Sequence, residues 1–419
     1  MFSLGVCKMV SKASIRGVTL SREDKATFVN VLFLLLVGSV VVTWFRGDYV
    51  LTCWDATFPW NPMRNLYAYS YTWHEEWGTG IPNVSIAFLP FFVIVATLHN
   101  VLGLSLSISQ KVVFYILFVS SGLGMYFLAK RLSATKKHAR AICLGSALFY
   151  MFNLYPAIYL WRALLSNVFS YSFLPFLLLT FIRATHAHAK QDNFELVKNA
   201  VAFGFFSLLV NISQPATDVW MVLGLFSIYY LLTQFKLKKI FHGLKLILSF
   251  SVLWFGLIMW VVLPIFSLSG SELARFQDIS NFLANSQHSS VLNVLRLVGQ
   301  PEISYYSKEA YGLWETPLLA PWLLTYRSPL FFLMSCAIPL LVWIPLLHRS
   351  RDGYTVLFSS IGLFGLVVVA GAQPPFGRVY SELFLMFRPY SFIFNGPYLY
   401  FGGLLSLSYA FLIGHGIGI

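Results

Sequence analysis

Charge is what this 419-residue chain has least of: 11% of its residues are Asp, Glu, Lys or Arg, against 58% hydrophobic ones. No water-soluble surface can be covered at that ratio over such a length, so the composition excludes a soluble globular protein and points to a polytopic helical membrane protein. Cysteine is scarce as well. Cys7, Cys53, Cys143 and Cys336 lack metal-type spacing and two of them fall in apolar runs, so neither a disulfide framework nor a structural zinc site is indicated. His186 and His188 have no companion cysteine and read as solvated loop residues. The chain also lacks a P-loop, a dinucleotide fingerprint, a GxSxG elbow and any internal repeat.

What is present is a series of long apolar runs punctuated by Lys/Arg clusters. The net charge of +13 is dealt out among short loops and is not gathered on one face, which argues for membrane topology and against a nucleic-acid partner. The first run, Thr27 to Phe45, is long enough to span a bilayer and reads as a retained helix. Five basic clusters then orient the chain with its N-terminus cytoplasmic: Lys8 to Lys25, Lys130 to Arg140, Arg183 to Lys198, Lys236 to Lys245, and Arg349 with Arg351. Parity demands that only one of the two apolar runs between Phe45 and Lys130 cross. Pro90, His99 and Asn100 interrupt the first of them, Ser85 to Leu104, so it reads as a re-entrant or interfacial helix on the outer face. The remaining spans fall near 109–129, 140–153, 167–182, 199–213, 219–235, 246–265, 329–347, 354–371 and 397–415. The expectation is an all-α membrane protein of about ten transmembrane helices, with 19 of its 29 basic residues inside and 11 of its 16 acids outside.

Three outer segments are long: 46–108, 266–328 and 372–396. The last span stops at Ile419 without a basic anchor, and we expect the native chain to continue beyond it. The spans at 27–45, 246–265, 329–347 and 354–371 contain no Asp, Glu, Lys or Arg, whereas ion-coupled transporters place such groups at membrane depth. Ionisable residues at the outer edge suit an enzyme acting at the membrane–water boundary on a lipid-linked substrate.

Two stretches carry a resemblance. The first is "DATFPWNPMRNLYAYSYTWHEEWGTG" followed by "IPNVSIAFLPFFVIVATLHNVLGLS"; the second is "AGAQPPFGRVYSELFLMFRPYSFIF". The first resembles the outer loop and juxtamembrane helices of GT-C class membrane glycosyltransferases. The second resembles a pattern of the alpha-(1→3)-arabinofuranosyltransferase family and its relatives, whose large carbohydrate-binding extensions this chain lacks. The resemblance implies a GT-C-like bundle over residues 1–419 with juxtamembrane helices in the first outer loop. It also implies a polyprenyl-phosphate sugar donor, a glycan, glycolipid or protein acceptor, and a site on the outer face of the cell membrane. The alternative is a transporter or flippase of lipid-linked oligosaccharides, or a non-catalytic cell-envelope assembly protein.

Such transfer needs a carboxylate to take the acceptor's hydroxyl proton and a cation to steady the departing phosphate. Asp55 is the first candidate for the base, matching the family's first-loop aspartate, with Trp54, Trp60 and Tyr67 as rings able to stack on a sugar. Asp48 is its rival, and both also fit turn or cap roles. His74, Glu75 and Glu76 could join an aspartate around a divalent cation, but consecutive Glu residues on a helix diverge by about 100°. Whether a metal cofactor is used is left open. Arg378 and Arg388 are the candidates for the phosphate, with snorkelling as the competing reading. Gln214 and Asp218 are further candidates for sugar contacts, Asp218 reading more readily as a helix cap. Trp314, with Tyr305, Tyr306 and Tyr311, is a candidate acceptor platform in a loop that in this class orders over bound donor, with anchoring at the headgroup boundary as the default reading of these aromatics.

Overall fold

The computed structural model describes residues 21–51, 58–74, 81–136, 138–157, 165–211, 217–233, 237–266, 279–299, 325–326, 328–347, 352–386 and 396–418. It is an all-α membrane-type bundle. Eight of the described helices are long and apolar enough to cross a membrane, and three shorter apolar helices accompany them. Helix is the expected outcome, because backbone N–H and C=O groups in lipid are satisfied only in helices or closed barrels, and long continuous apolar runs suit the helix and not the alternating barrel strand.

The first span is α1 (Arg22–Gly38), which tightens into a 3-10 turn over Ser39–Trp44. The first loop contains α2 (Pro62–Tyr69) and a two-residue antiparallel pair, β1 (Trp73–His74) with β2 (Ile81–Pro82). Next comes α3 (Leu89–Ala96), entered through a 3-10 turn and left through a π turn, Thr97–Val101. The other long helices are α4 (Leu106–Leu132), α5 (Ala139–Phe152), α6 (Leu165–Lys190), α7 (Asn193–Val210), α8 (Thr217–Leu232) and α9 (Leu237–Phe266). Two short helices follow, α10 (Ile279–Ser286) and α11 (Val291–Leu295). The chain then runs through α12 (Pro329–Leu347), α13 (Gly353–Ala370), the short α14 (Gly377–Met386) and α15 (Pro397–Ile417).

Side-chain caps start many of these helices: Ser21, Asn61, Ser105, Asp192, Ser290 and Asp352 each accept a backbone N–H three residues on. Each apolar run named as a span has a helix over it, and the run at Ser85–Leu104 is the broken one. Its polar end is closed by His99, whose Nδ1 lies 2.7 Å from the Leu104 carbonyl.

α1 and α4 are antiparallel neighbours. Lys130 near the end of α4 meets Glu23 at 3.3 Å and Thr27 at 2.7 Å, while Phe114 near its start packs on Phe45. Both ends of the segment holding α2 and α3 therefore lie at one end of the bundle. The opposite end collects basic groups. There Arg131 Nη2 lies 3.2 Å from His186, and Lys136 bridges Asp352 at 2.8 Å, with His415 at 3.9 Å. Burial pushes the Asp352 carboxyl up, but hydrogen bonds from Lys136 and Thr355 outweigh it and hold the group below its ordinary value.

The most buried helices are α6 and α15. α15 packs against α5, α8, α12 and α13, and small residues admit this closeness. A methyl group on Gly402 would run into the ring of Tyr155, and one on Gly403 would lie 2.9 Å from Asp218 Oδ2. α5 and α6 are clasped by Tyr150 and Tyr171, whose rings stack at 4.1 Å. Each hydroxyl donates to the other residue's carbonyl.

Candidate functional site

At the end of the bundle that holds the first loop, buried polar side chains from four helices converge. Asp218, in the first turn of α8, is 6% exposed. Its carboxylate accepts the Ser170 hydroxyl of α6, 3.0 Å to Oδ1 and 3.3 Å to Oδ2, and the Val219 backbone N–H at 2.9 Å. A carboxylate in such a place costs several kcal/mol unless it is bonded, and these donors offset part of that cost. Around it, Asn153 donates to the Tyr171 hydroxyl at 2.8 Å and accepts from Ser406 at 3.2 Å. Tyr155 and Asn167 both donate to the Leu399 carbonyl, at 3.0 and 3.2 Å. Tyr398 donates to the Leu297 carbonyl at 2.7 Å, which ties the start of α15 to the turn after α11.

The first loop is anchored beside this cluster on both sides of Asp55. Upstream, Gln110 of α4 clamps the Leu51 backbone from both sides, accepting its N–H at 2.8 Å and donating to its carbonyl at 2.7 Å. Lys111 and Ser107 hold the Gly47 and Tyr49 carbonyls. Downstream, the buried Phe58 packs edge-on against Phe91 at 5.9 Å, and Phe91 against Phe169 at 6.0 Å. Phe169 immediately precedes Ser170, so a continuous set of contacts runs from Phe58 to Asp218.

The named candidates distribute unevenly. Asp48 lies in an exposed turn next to Gly47, whose φ of +59° suits glycine. Trp60 and Tyr67 are 71% and 67% exposed, and Tyr67 meets Tyr71 edge-on at 5.1 Å. His74 is paired in β1 opposite Ile81. Arg378 stands on the open side of α14 with its side chain 91% exposed, and it pairs with Glu382 at 3.0 Å. The opposite side of α14 is fixed on α10, where Phe282 stacks on Tyr380 and Phe384. Trp54, Asp55, Glu75, Glu76, Gln214, Trp314 and Arg388 lie outside the described residues, as do Tyr305, Tyr306 and Tyr311. Among the described residues no three His, Cys, Asp or Glu side chains gather as a metal-binding group.

Asp218 is thus more than a helix cap, because its carboxylate is held from α6 as well as by its own helix. Among the described residues Arg296, just after α11, is the other buried charge at this end, and no sequence reading singled it out. A lone cation between Leu295 and Leu297 in an otherwise uncharged stretch was the available signal. Its Nε donates to Ser335 of α12 at 2.7 Å, its Nη1 to Asn293 at 3.3 Å, and its plane lies 4.1 Å from the centre of the Phe332 ring. Comparison of the chain with family models, with curated proteins and with solved structures returns no match to any of them.

Proposed function

We propose that this protein is a membrane glycosyltransferase that moves a sugar from a polyprenyl-phosphate donor to a glycan, lipid or protein acceptor on the outer face of the cell membrane. Asp55 is the base. The observation that carries the reading is the two-sided anchoring of the first loop: Leu51 is clamped by Gln110 and Phe58 is packed on Phe91, on either side of Asp55. General-base catalysis needs a carboxylate on a supported element, and a loop fixed at both flanks supplies the support. Asp218 and Asn153 form a buried polar set at the same end, and Trp60 and Tyr67 are exposed rings of the kind that stack on a sugar. The basic clusters at the opposite end support a cytoplasmic assignment for that side.

The test is transfer by the purified chain in proteoliposomes, given polyprenyl-phosphate-linked pentoses and hexoses in turn. Sugar should leave the donor with the wild type. Asp55→Asn should lower the rate by about 10²-fold or more, the scale of a lost general base, while its elution profile and Tm stay unchanged. Donor turnover that persists in Asp55→Asn, or that no donor elicits from the wild type, sinks the reading.

A further inference from the structure

Arg296 is 4% exposed and meets no carboxylate within ion-pair distance among the described residues. A snorkelling arginine extends its head into water; this one is tucked between α11 and α12. A guanidinium has five N–H donors, and the Ser335 hydroxyl and the Asn293 amide oxygen use two of them. The guanidinium Cζ lies over the Phe332 ring, and among the described residues the other three donors meet no acceptor. Burying a cation without an anion costs several kcal/mol per charge, and since no described residue supplies one, an anion would complete the arrangement. Fork geometry and permanent charge suit phosphate, which accepts two parallel N–H bonds.

The position says what the phosphate is attached to. Ser335 lies six residues into α12, about 9 Å below its first-loop end at 1.5 Å per residue. Leu330, Leu333 and Met334 in the same two turns are exposed apolar side chains. A group entering there meets hydrocarbon on one side and the polar end of the bundle on the other.

We propose that Arg296 binds the phosphate of a lipid, seated between α11 and α12 with its chain lying along α12. The site deepens the transfer reading by supplying a cation for a lipid-linked donor, and it rests on that reading for the lipid's being a prenyl phosphate and not a membrane phospholipid. α15 lies between Arg296 and Asp218, since the Tyr398 hydroxyl holds Leu297, next to Arg296, while a Cβ on Gly403, five residues on, would meet Asp218.

The experiment is equilibrium binding to the full chain in detergent, with farnesyl phosphate, farnesol, phosphatidic acid and inorganic phosphate as probes. Farnesyl phosphate should bind at least tenfold tighter than farnesol, weakening as salt rises. Arg296→Gln should reduce it to the level of farnesol, and Arg296→Lys, which keeps the charge and loses the fork, should fall between. Phosphatidic acid binding as tightly as farnesyl phosphate, with the same dependence on Arg296, supports the phosphate site and assigns it to a phospholipid. Tight binding of inorganic phosphate overturns the lipid requirement. Equal binding of farnesyl phosphate and farnesol by the wild type overturns the site, and that comparison holds even if Arg296→Gln does not fold. Because none of these probes carries a sugar, loss of the site and loss of the transfer reading are separable: binding with no turnover removes only the latter.

Discussion

Ser170 of α6 shares its hydroxyl proton between both carboxylate oxygens of Asp218 on α8, at 3.0 and 3.3 Å. That bond joins two helices through a buried charge, and removing the donor leaves the carboxylate, among the described residues, with backbone N–H groups of its own helix at Asp218 and Val219. Ser170→Ala should destabilise the protein by about 1–3 kcal/mol, the cost of an underbonded buried group. Asp218→Asn should change the effect of Ser170→Ala by about 1 kcal/mol in a double-mutant cycle. Tm values of the four chains in one detergent check this, and additive effects would remove the coupling.

The Gln110 clamp makes a separable prediction. Gln110→Leu keeps the side-chain bulk but frees both the N–H and the C=O of Leu51. Two lost hydrogen bonds set a stability loss of about 1–3 kcal/mol. The effect on sugar transfer should exceed the effect on Tm, because Leu51 lies four residues before Asp55. Hydrogen exchange across residues 45–51 is the direct readout, and unchanged protection there would show that the clamp does not hold the loop.

At the opposite end, the Lys136–Asp352 bridge gives a pH signature. Asp352 has a folded pKa below its ordinary value of 3.8, so its charged form stabilises the fold. That contribution is complete above about pH 5 and is lost as pH falls through the depressed folded value. Asn retains the capping role at the start of α13, so Asp352→Asn isolates the charge. The variant should be less stable than wild type at pH 7 by about 0.5–1 kcal/mol, given partial exposure of both partners. The two melting curves should converge as the pH falls through the depressed folded value, and a gap independent of pH would remove the bridge as its cause.

Arg378 divides the sequence-based expectation from the geometry. Its pair with Glu382 is exposed, so Arg378→Ala should leave Tm unchanged. Donor affinity measured alongside Arg296→Gln then shows which arginine takes the phosphate. A tenfold loss with Arg378→Ala and none with Arg296→Gln would return the role to α14.

Hydropathy made the class and the apolar helices legible, because twenty-odd apolar residues without charge have few other fates. Pro90, His99 and Asn100 marked the broken run, and Lys130, Arg131 and Lys136 meet Glu23, His186 and Asp352 at one end of the bundle. The buried charges were not legible. In a membrane the lipid-facing and helix-facing sides of α6 or α15 are equally apolar, so no moment reveals which side will hold Ser170 or receive Asp218. Arg296 was hidden for a related reason. Its partners Ser335 and Phe332 come almost forty residues later, and only the packing of α11 against α12 shows that the guanidinium is covered.

α15 lies at the centre of the bundle, yet it is synthesised after every helix it packs against. During biogenesis the faces of α5, α8, α12 and α13 that will receive it must first be covered by lipid, by one another or by the insertion machinery. Asp218 then waits for the backbone of Gly403, and Tyr155 for that of Gly402. Insertion of α15 is thus the insertion of a core and not the addition of a periphery. A ribosome stalled before Pro397 would therefore carry a membrane-inserted chain whose polar cluster is still open.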